Sequence, residues 1–117
     1  MEPYKHEMTM GDYSQISDII EEMMAVFDEY DGAKHYIKEA IRLKMTDKTR
    51  AESNVAMSAQ ELSHGDTHSA TVGKLLEKAK ADGNECYATL AMVWHHLKKR
   101  QDGYAAWIRQ MHEQYKK

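Results

Sequence analysis

An all-α protein is predicted, folded as an antiparallel bundle of four helices in which two short helices precede two long ones. Apolar residues recur at three- and four-residue steps along most of the 117 residues, which is the spacing of one helical face. No segment alternates apolar and polar residues over the length of a strand. The single proline lies at position 3, outside every expected helix.

Two short helices are expected in the first 45 residues. The first covers residues 13–30, where isoleucine, methionine and phenylalanine recur at helical spacing, and Asp12 or Ser14 can cap its N-terminus. The dipeptide Asp31-Gly32 is typical of a helix end and is expected to break the helix. The second helix covers residues 33–45.

The third helix is expected over residues 50–81, with Thr49 and Glu52 at the spacing of a capping box. Its middle is rich in serine, alanine and glycine, and each interior glycine costs ~1 kcal/mol relative to alanine. Either the helix kinks or breaks at residues 63–67, or a neighbouring helix packs closely against it. Close packing is favoured, because the small residues recur over several turns.

The fourth helix covers residues 85–115 and is expected to continue through a weak point at residues 102–103, because the apolar spacing keeps its phase there. Such a helix is roughly 45 Å long, more than one compact domain needs. We therefore predict a homodimer, whose interface also draws on the small-residue face of the third helix. Its apolar contacts come from the end of the fourth helix, at Trp107, Ile108, Met111 and Tyr115.

Composition indicates a single soluble domain over residues 1–117, with residues 1–11 as a flexible N-terminal tail. No apolar run approaches the roughly 20 residues of a membrane span, so no membrane partner is expected. The lone Cys86 excludes an internal disulfide and agrees with a cytoplasmic location. No catalytic set of residues is recognisable, and the chain is not expected to be an enzyme.

Charge is distributed unevenly along the chain. Residues 12–31 hold seven acidic residues and no basic one, whereas residues 95–117 hold six basic and two acidic residues. Either the first helix pairs with the last, within one chain or between subunits, or the two regions are solvated faces of opposite sign. The basic group 98–100, with Tyr104, Trp107 and Arg109, suggests nucleic acid, but the net charge of −3 disfavours that partner.

The strongest candidate for chemistry lies in the third helix. Glu61, His64 and His68 project within about 60° of arc on one side of that helix. A carboxylate and two imidazoles are ligands that Zn²⁺ or Fe²⁺ accepts in proteins. In the preceding helix, His35 and Glu39 form an i,i+4 pair that could complete such a site or simply support the helix.

The run over residues 52–64 (ESNVAMSAQELSH), which ends in Glu61-x-x-His64, resembles the second core helix of ferritin-like and rubrerythrin-type bundles. In that family a Glu-x-x-His motif supplies a carboxylate and an imidazole to a di-iron centre. The resemblance implies that Glu61 and His64 are metal ligands and that Glu39 stands in the position of the first carboxylate.

The same family has a second Glu-x-x-His in its last helix, and this chain does not. Three residues beyond Glu85 and Glu113 stand Ala88 and Lys116. The resemblance therefore implies a degenerate ferritin-like bundle with one ion of iron, zinc or manganese, or with no cofactor.

Two functions follow from these observations. The leading hypothesis is a small, non-enzymatic helical interaction or assembly protein of unknown protein partner, because amphipathic helix is extensive and no catalytic set is complete. The stretch over residues 52–66 also resembles small helical proteins of phages and prophages, which favours such a role. The alternative is the degenerate divalent-metal binder with its Glu-x-x-His motif.

Overall fold

The computed structural model describes residues 9–117, which form three long α-helices. They are α1 (Met10–Leu43), α2 (Lys48–Ala81) and α3 (Tyr87–Lys116). Short turns reverse the chain twice, so α1 and α3 run in the same direction and α2 runs against both. The result is a rod of 65 × 22 × 21 Å. The all-α prediction is confirmed, and no strand occurs in the described part of the chain.

The prediction of a four-helix bundle is wrong, because the first two expected helices are one. α1 passes through Asp31-Gly32 without interruption. The buried residues on either side of that dipeptide, Tyr30 and Ala33, belong to one continuous apolar face, and packing that face outweighs the ~1 kcal/mol that a helical glycine costs. Asp31 also serves the fold there, since its carboxylate accepts a hydrogen bond from the Tyr104 hydroxyl at 2.7 Å.

The helix N-termini use other caps than those expected. Thr9 and Asp12 form a capping box, in which the Thr9 hydroxyl accepts from the Asp12 amide at 3.1 Å and the Asp12 carboxylate accepts from the Thr9 amide at 3.0 Å. In α2, Asp47 caps the helix by accepting from the Arg50 amide at 3.1 Å. Of the tail predicted over residues 1–11, residues 1–8 lie outside the described residues and the last two begin α1.

α1 and α2 pack through a repeat of seven residues, the spacing of a coiled coil. On α1 the buried residues follow one another at alternating steps of four and three, as Ile19, Met23, Val26, Tyr30, Ala33, Ile37 and Ala40. On α2 the most buried position recurs every seventh residue and is occupied by Ala51, Ser58, Gly65, Val72 and Ala79. These side chains are mostly small, so the two backbones approach closely.

α2 is unbroken, and close packing explains its small residues. A β-carbon built on Gly65 would lie 2.4 Å from Cε1 of Tyr30, a separation that no real side chain tolerates. Tyr30 of α1 therefore occupies the space that a side chain at position 65 would fill. The break considered at residues 63–67 is absent.

The turn between α2 and α3 is a Schellman motif closed by Gly83 and Asn84. Gly83 has φ of +71°, which favours glycine, and the Asn84 amide donates to the Ala79 carbonyl at 3.0 Å. The buried Asn84 side chain donates to the Asp12 carbonyl at 3.2 Å and to Oε1 of Gln15 at 3.0 Å. The turn is thereby fixed to the beginning of α1.

α3 runs through residues 102–103 as one helix, as predicted. Two residues of the predicted dimer interface, Ile108 and Tyr115, are buried against α1 and α2 within the chain, and a third, Met111, is half-buried there. Trp107 remains 43% exposed. Within residues 9–117, none of the helices combines the length and apolar character that crossing a membrane requires.

Candidate metal centre

The interface between α1 and α2 is open to its surroundings on two sides, here called its flanks, and α3 packs over one of them. Asp31 of α1 and Asp66 of α2 face α3, where they accept hydrogen bonds from Tyr104 and Arg109. At 100° per residue, Glu29 and Glu61 lie on the opposite flank of their helices. That open flank, near the middle of both helices, carries the residues with the clearest chemical potential.

Glu29, Glu61 and His64 form a compact group there. Each offers one ligand atom, and the three atoms all lie within 4.8 Å of one another. The Nδ1 atom of His64 is 4.0 Å from Oε2 of Glu29. Glu61 lies against Gly32 of α1, so no side chain of that helix separates it from Glu29. Two carboxylates and one imidazole can thus converge on a single cation.

The electrostatics of the group favour a positive charge. The pKa of Glu61 is raised above its ordinary value, first because its side chain shares a hydrogen bond with Glu29, then through burial and through the negative charge of Glu29. His64 acts in the opposite direction. A cation that binds between the two carboxyl groups can take the place of the hydrogen bond that joins them.

His68 lies beside this group and is held by a third carboxylate. Its Nδ1 atom is 2.6 Å from Oε2 of Glu22, and its Nε2 atom is 3.9 Å from Oε1 of Glu29. Both His68 and Glu22 keep about a third of their side-chain surface exposed. We refer to Glu22, Glu29, Glu61, His64 and His68 as the carboxylate–histidine cluster.

The structure does not bring the other two predicted ligands to this cluster. The Arg42 guanidinium forms a bidentate ion pair with the Glu39 carboxylate, at a closest distance of 2.7 Å. This ion pair lowers the pKa of the Glu39 carboxyl. His35 is exposed and packs edge-on against the Tyr36 ring. Because α1 continues without a turn, both residues lie farther along it than Glu29.

Sequence reasoning missed Glu22 and Glu29. They stand seven residues apart on one face of α1, each directly before a buried residue of the apolar face, Met23 or Tyr30. That spacing could have indicated a shared site, but the two residues are only two of the seven acidic residues scattered over positions 12–31. Only the register between α1 and α2 shows which two of them face the histidines.

Two of the four basic side chains in the group near the C-terminus form ion pairs within the chain. Lys98 pairs with Asp102 at 3.0 Å, and Arg109 pairs with Asp66 at 2.7 Å. The Tyr104 hydroxyl donates to Asp31. These contacts leave fewer groups for a nucleic-acid backbone than the sequence suggests.

Comparison with protein-family models, with curated proteins and with solved structures finds no match to this chain. The resemblances to ferritin-like bundles and to phage or prophage proteins therefore stay predictions. The function of this chain must therefore be inferred from the geometry of its own residues.

Proposed function

We propose that this protein binds a divalent transition-metal ion through Glu29, Glu61 and His64. The supporting observation is the convergence of three ligand atoms within 4.8 Å of one another on two rigid helices. Mixed carboxylate and imidazole ligands suit Zn²⁺, Fe²⁺ and Mn²⁺, whereas Mg²⁺ and Ca²⁺ favour sites made of oxygen alone.

Charge and access support the same proposal. The pKa of Glu61 is raised first by its hydrogen bond with Glu29, then by burial and by the negative charge of Glu29, and a bound cation offsets that negative charge. The His64 side chain is 51% exposed, so an ion reaches the group from solvent without unfolding of the helices.

The test is a calorimetric titration with Zn²⁺ and Mn²⁺, together with thermal unfolding in the presence and absence of each ion. We expect stoichiometric binding and a higher Tm, because an ion that binds only the folded state stabilises it by mass action. His64→Ala should strongly reduce both effects. His96→Ala, an exposed histidine on α3, is the matched control and should leave them unchanged. Equal binding by the two variants, or no binding by the natural protein, would contradict the proposal.

A second candidate function is that of a helical interaction or assembly protein, including the predicted homodimer. The observation in its favour is a set of large apolar side chains exposed on α1 and α3, namely Ile20, Met24, Val93 and Trp107. Light scattering at micromolar concentration should give twice the mass of one chain, and Trp107→Glu should give the mass of one. A single-chain mass for the unaltered protein would rule the homodimer out. The cytoplasmic location and the phage or prophage origin stay predictions.

A further inference from the structure

We infer that His68 supplies a fourth ligand to the proposed centre and that Glu22 is the positioning residue that holds the His68 ring for this purpose. The inference rests on the proposed function, because it concerns the same ion. It adds a coordination number and a role for a residue that is not itself a ligand.

The hydrogen bond between Glu22 and His68 fixes the protonation of the imidazole. An ionised carboxylate only accepts, so the Nδ1 atom of His68, 2.6 Å from Oε2 of Glu22, must carry the proton. In the neutral ring, the form that binds a metal, the Nε2 atom then presents a lone pair. Metal-binding histidines commonly donate their other ring nitrogen to a carboxylate in this way, which fixes both tautomer and orientation.

Nε2 of His68 lies at the edge of the group already described, on the side of Glu29. It lies 3.9 Å from Oε1 of Glu29, and the other oxygen of Glu29 lies 4.0 Å from Nδ1 of His64. Glu29 therefore stands between the two imidazoles. In a tetrahedral zinc site, ligand atoms about 2.0 Å from the ion are about 3.3 Å from one another. The two separations quoted exceed that value by about 0.6 and 0.7 Å, and the three ligand atoms of Glu29, Glu61 and His64 lie within 4.8 Å of one another, so the side chains must rotate inward by up to about 1 Å, together with His68, to close around an ion.

The resulting ligand set has two carboxylates, Glu29 and Glu61, and two imidazoles, His64 and His68. Four protein ligands of this composition complete a tetrahedral site and leave an ion such as Zn²⁺ with no need of a second chain. A purely structural role for Glu22 and His68, as an ion pair between α1 and α2, would affect stability but not the surroundings of the ion.

The test uses Co²⁺ as a probe, because the positions and intensities of its visible bands depend on both the number and the kind of its ligands, so that exchange of an imidazole for a water changes the spectrum. The full-length natural protein should give an intense spectrum. In His68→Ala the bands should shift or weaken because a ligand is lost, and the Co²⁺ affinity should fall by at least the about 10- to 100-fold that loss of a ligand's supporting residue costs. Glu22→Gln retains an acceptor for Nδ1 and should keep most of the intensity, whereas Glu22→Ala should lose it. Circular dichroism of each variant verifies that the helices remain.

The outcomes separate the inference from the proposed function. If Co²⁺ binds to His68→Ala with the spectrum of the natural protein while His64→Ala loses it, the three-residue site stands and the inference fails. An unchanged spectrum in Glu22→Ala would likewise remove Glu22 from the arrangement. If the natural protein binds no Co²⁺, both the inference and the proposed function fall.

Discussion

Tyr30 connects all three helices through one hydrogen-bonded chain. Its ring fills the space above Gly65, and its hydroxyl donates to Oδ1 of Asp66 at 2.6 Å. The other oxygen of Asp66 accepts from Arg109 of α3 at 2.7 Å. Burial and the contact with Asp66 raise the pKa of the Tyr30 hydroxyl, which stays protonated at every physiological pH. The hydrogen bond to Asp66 thus holds the Tyr30 ring in place against Gly65.

Gly65→Ala is expected to destabilise the protein by about 1–3 kcal/mol, the usual effect of overpacking a core, because the added β-carbon collides with the Tyr30 ring. The matched control is Gly73→Ala in the same helix, where the added β-carbon has no neighbour within 4 Å. That variant should gain about 1 kcal/mol from helix propensity. Urea unfolding measures both, and a Gly65→Ala variant as stable as Gly73→Ala would disprove the contact.

A second residue-scale contact is sensitive to pH. The buried Ser58 hydroxyl donates to the Ala33 carbonyl at 2.6 Å, so the Nε2 atom of His112, 2.8 Å from the same oxygen, must be the donor to it. Burial, with a contribution from Lys116, lowers the pKa of His112. The folded protein thus holds the second proton of this ring less tightly than the unfolded chain does.

The stability that His112 contributes should be complete above pH 6.5, the ordinary value for histidine, and should be lost as the pH falls through the lower pKa of the folded state. His112→Gln can still donate to Ser58 but does not titrate. Free energies of unfolding measured from pH 8 to pH 5 should therefore decrease more steeply for the natural protein than for the variant. Parallel curves would show that His112 is not responsible.

Glu61 gives a prediction of opposite sign. A carboxyl with a raised pKa favours folding while it is protonated, so this contribution is present below pH 4.5 and is lost as the pH rises through the raised value. At neutral pH without metal, Glu61→Gln should therefore raise the Tm, because its amide donates to Glu29 and carries no charge. The same variant should lose the increase in Tm that Zn²⁺ gives the natural protein. A lower Tm without metal would contradict the repulsion between the two carboxylates.

At the scale of elements, the helical periodicity predicted α2 and α3 closely and failed within α1. The helix end at Asp31-Gly32 was predicted from these two residues alone, although the apolar face of α1 continues across them from Val26 to Ile37. Packing between helices decides whether a glycine ends a helix, and the local sequence does not contain that information.

The candidate site was predictable to the extent that it lies on one helix. Glu61, His64 and His68 follow from spacing alone, and the structure places all three on the open flank of α2. Glu22 and Glu29 could not be selected, because their role depends on how α1 is aligned against α2. The close packing at Gly65 sets that alignment.

For the whole molecule, the direction of the helices decides where the two charged segments lie. Because α1 and α3 run in the same direction, the acidic residues 12–31 lie toward one end of the rod and the basic residues near the C-terminus lie toward the other. Lys98 and Arg109 of α3 form ion pairs with Asp102 on α3 itself and with Asp66 on α2.

The attachment of α3 contains one unfavourable polar group. Gln101 is 1% exposed, and neither polar atom of its side chain has a hydrogen-bond partner. Since an unpaired buried amide costs about 1–3 kcal/mol, Gln101→Leu should raise the free energy of unfolding by an amount of that order. Calorimetry would measure the gain, and a loss of stability would show that Gln101 is paired in solution.

Because residues 9–117 form three helices, the two ends of this segment lie at opposite ends of the rod. Residue 9 and residue 117 emerge at opposite poles of a body 65 Å long, rather than side by side as in a hairpin. Two proteins fused to the two ends would be separated by the full length of the molecule. Energy transfer between a pair of dyes attached there would measure that length.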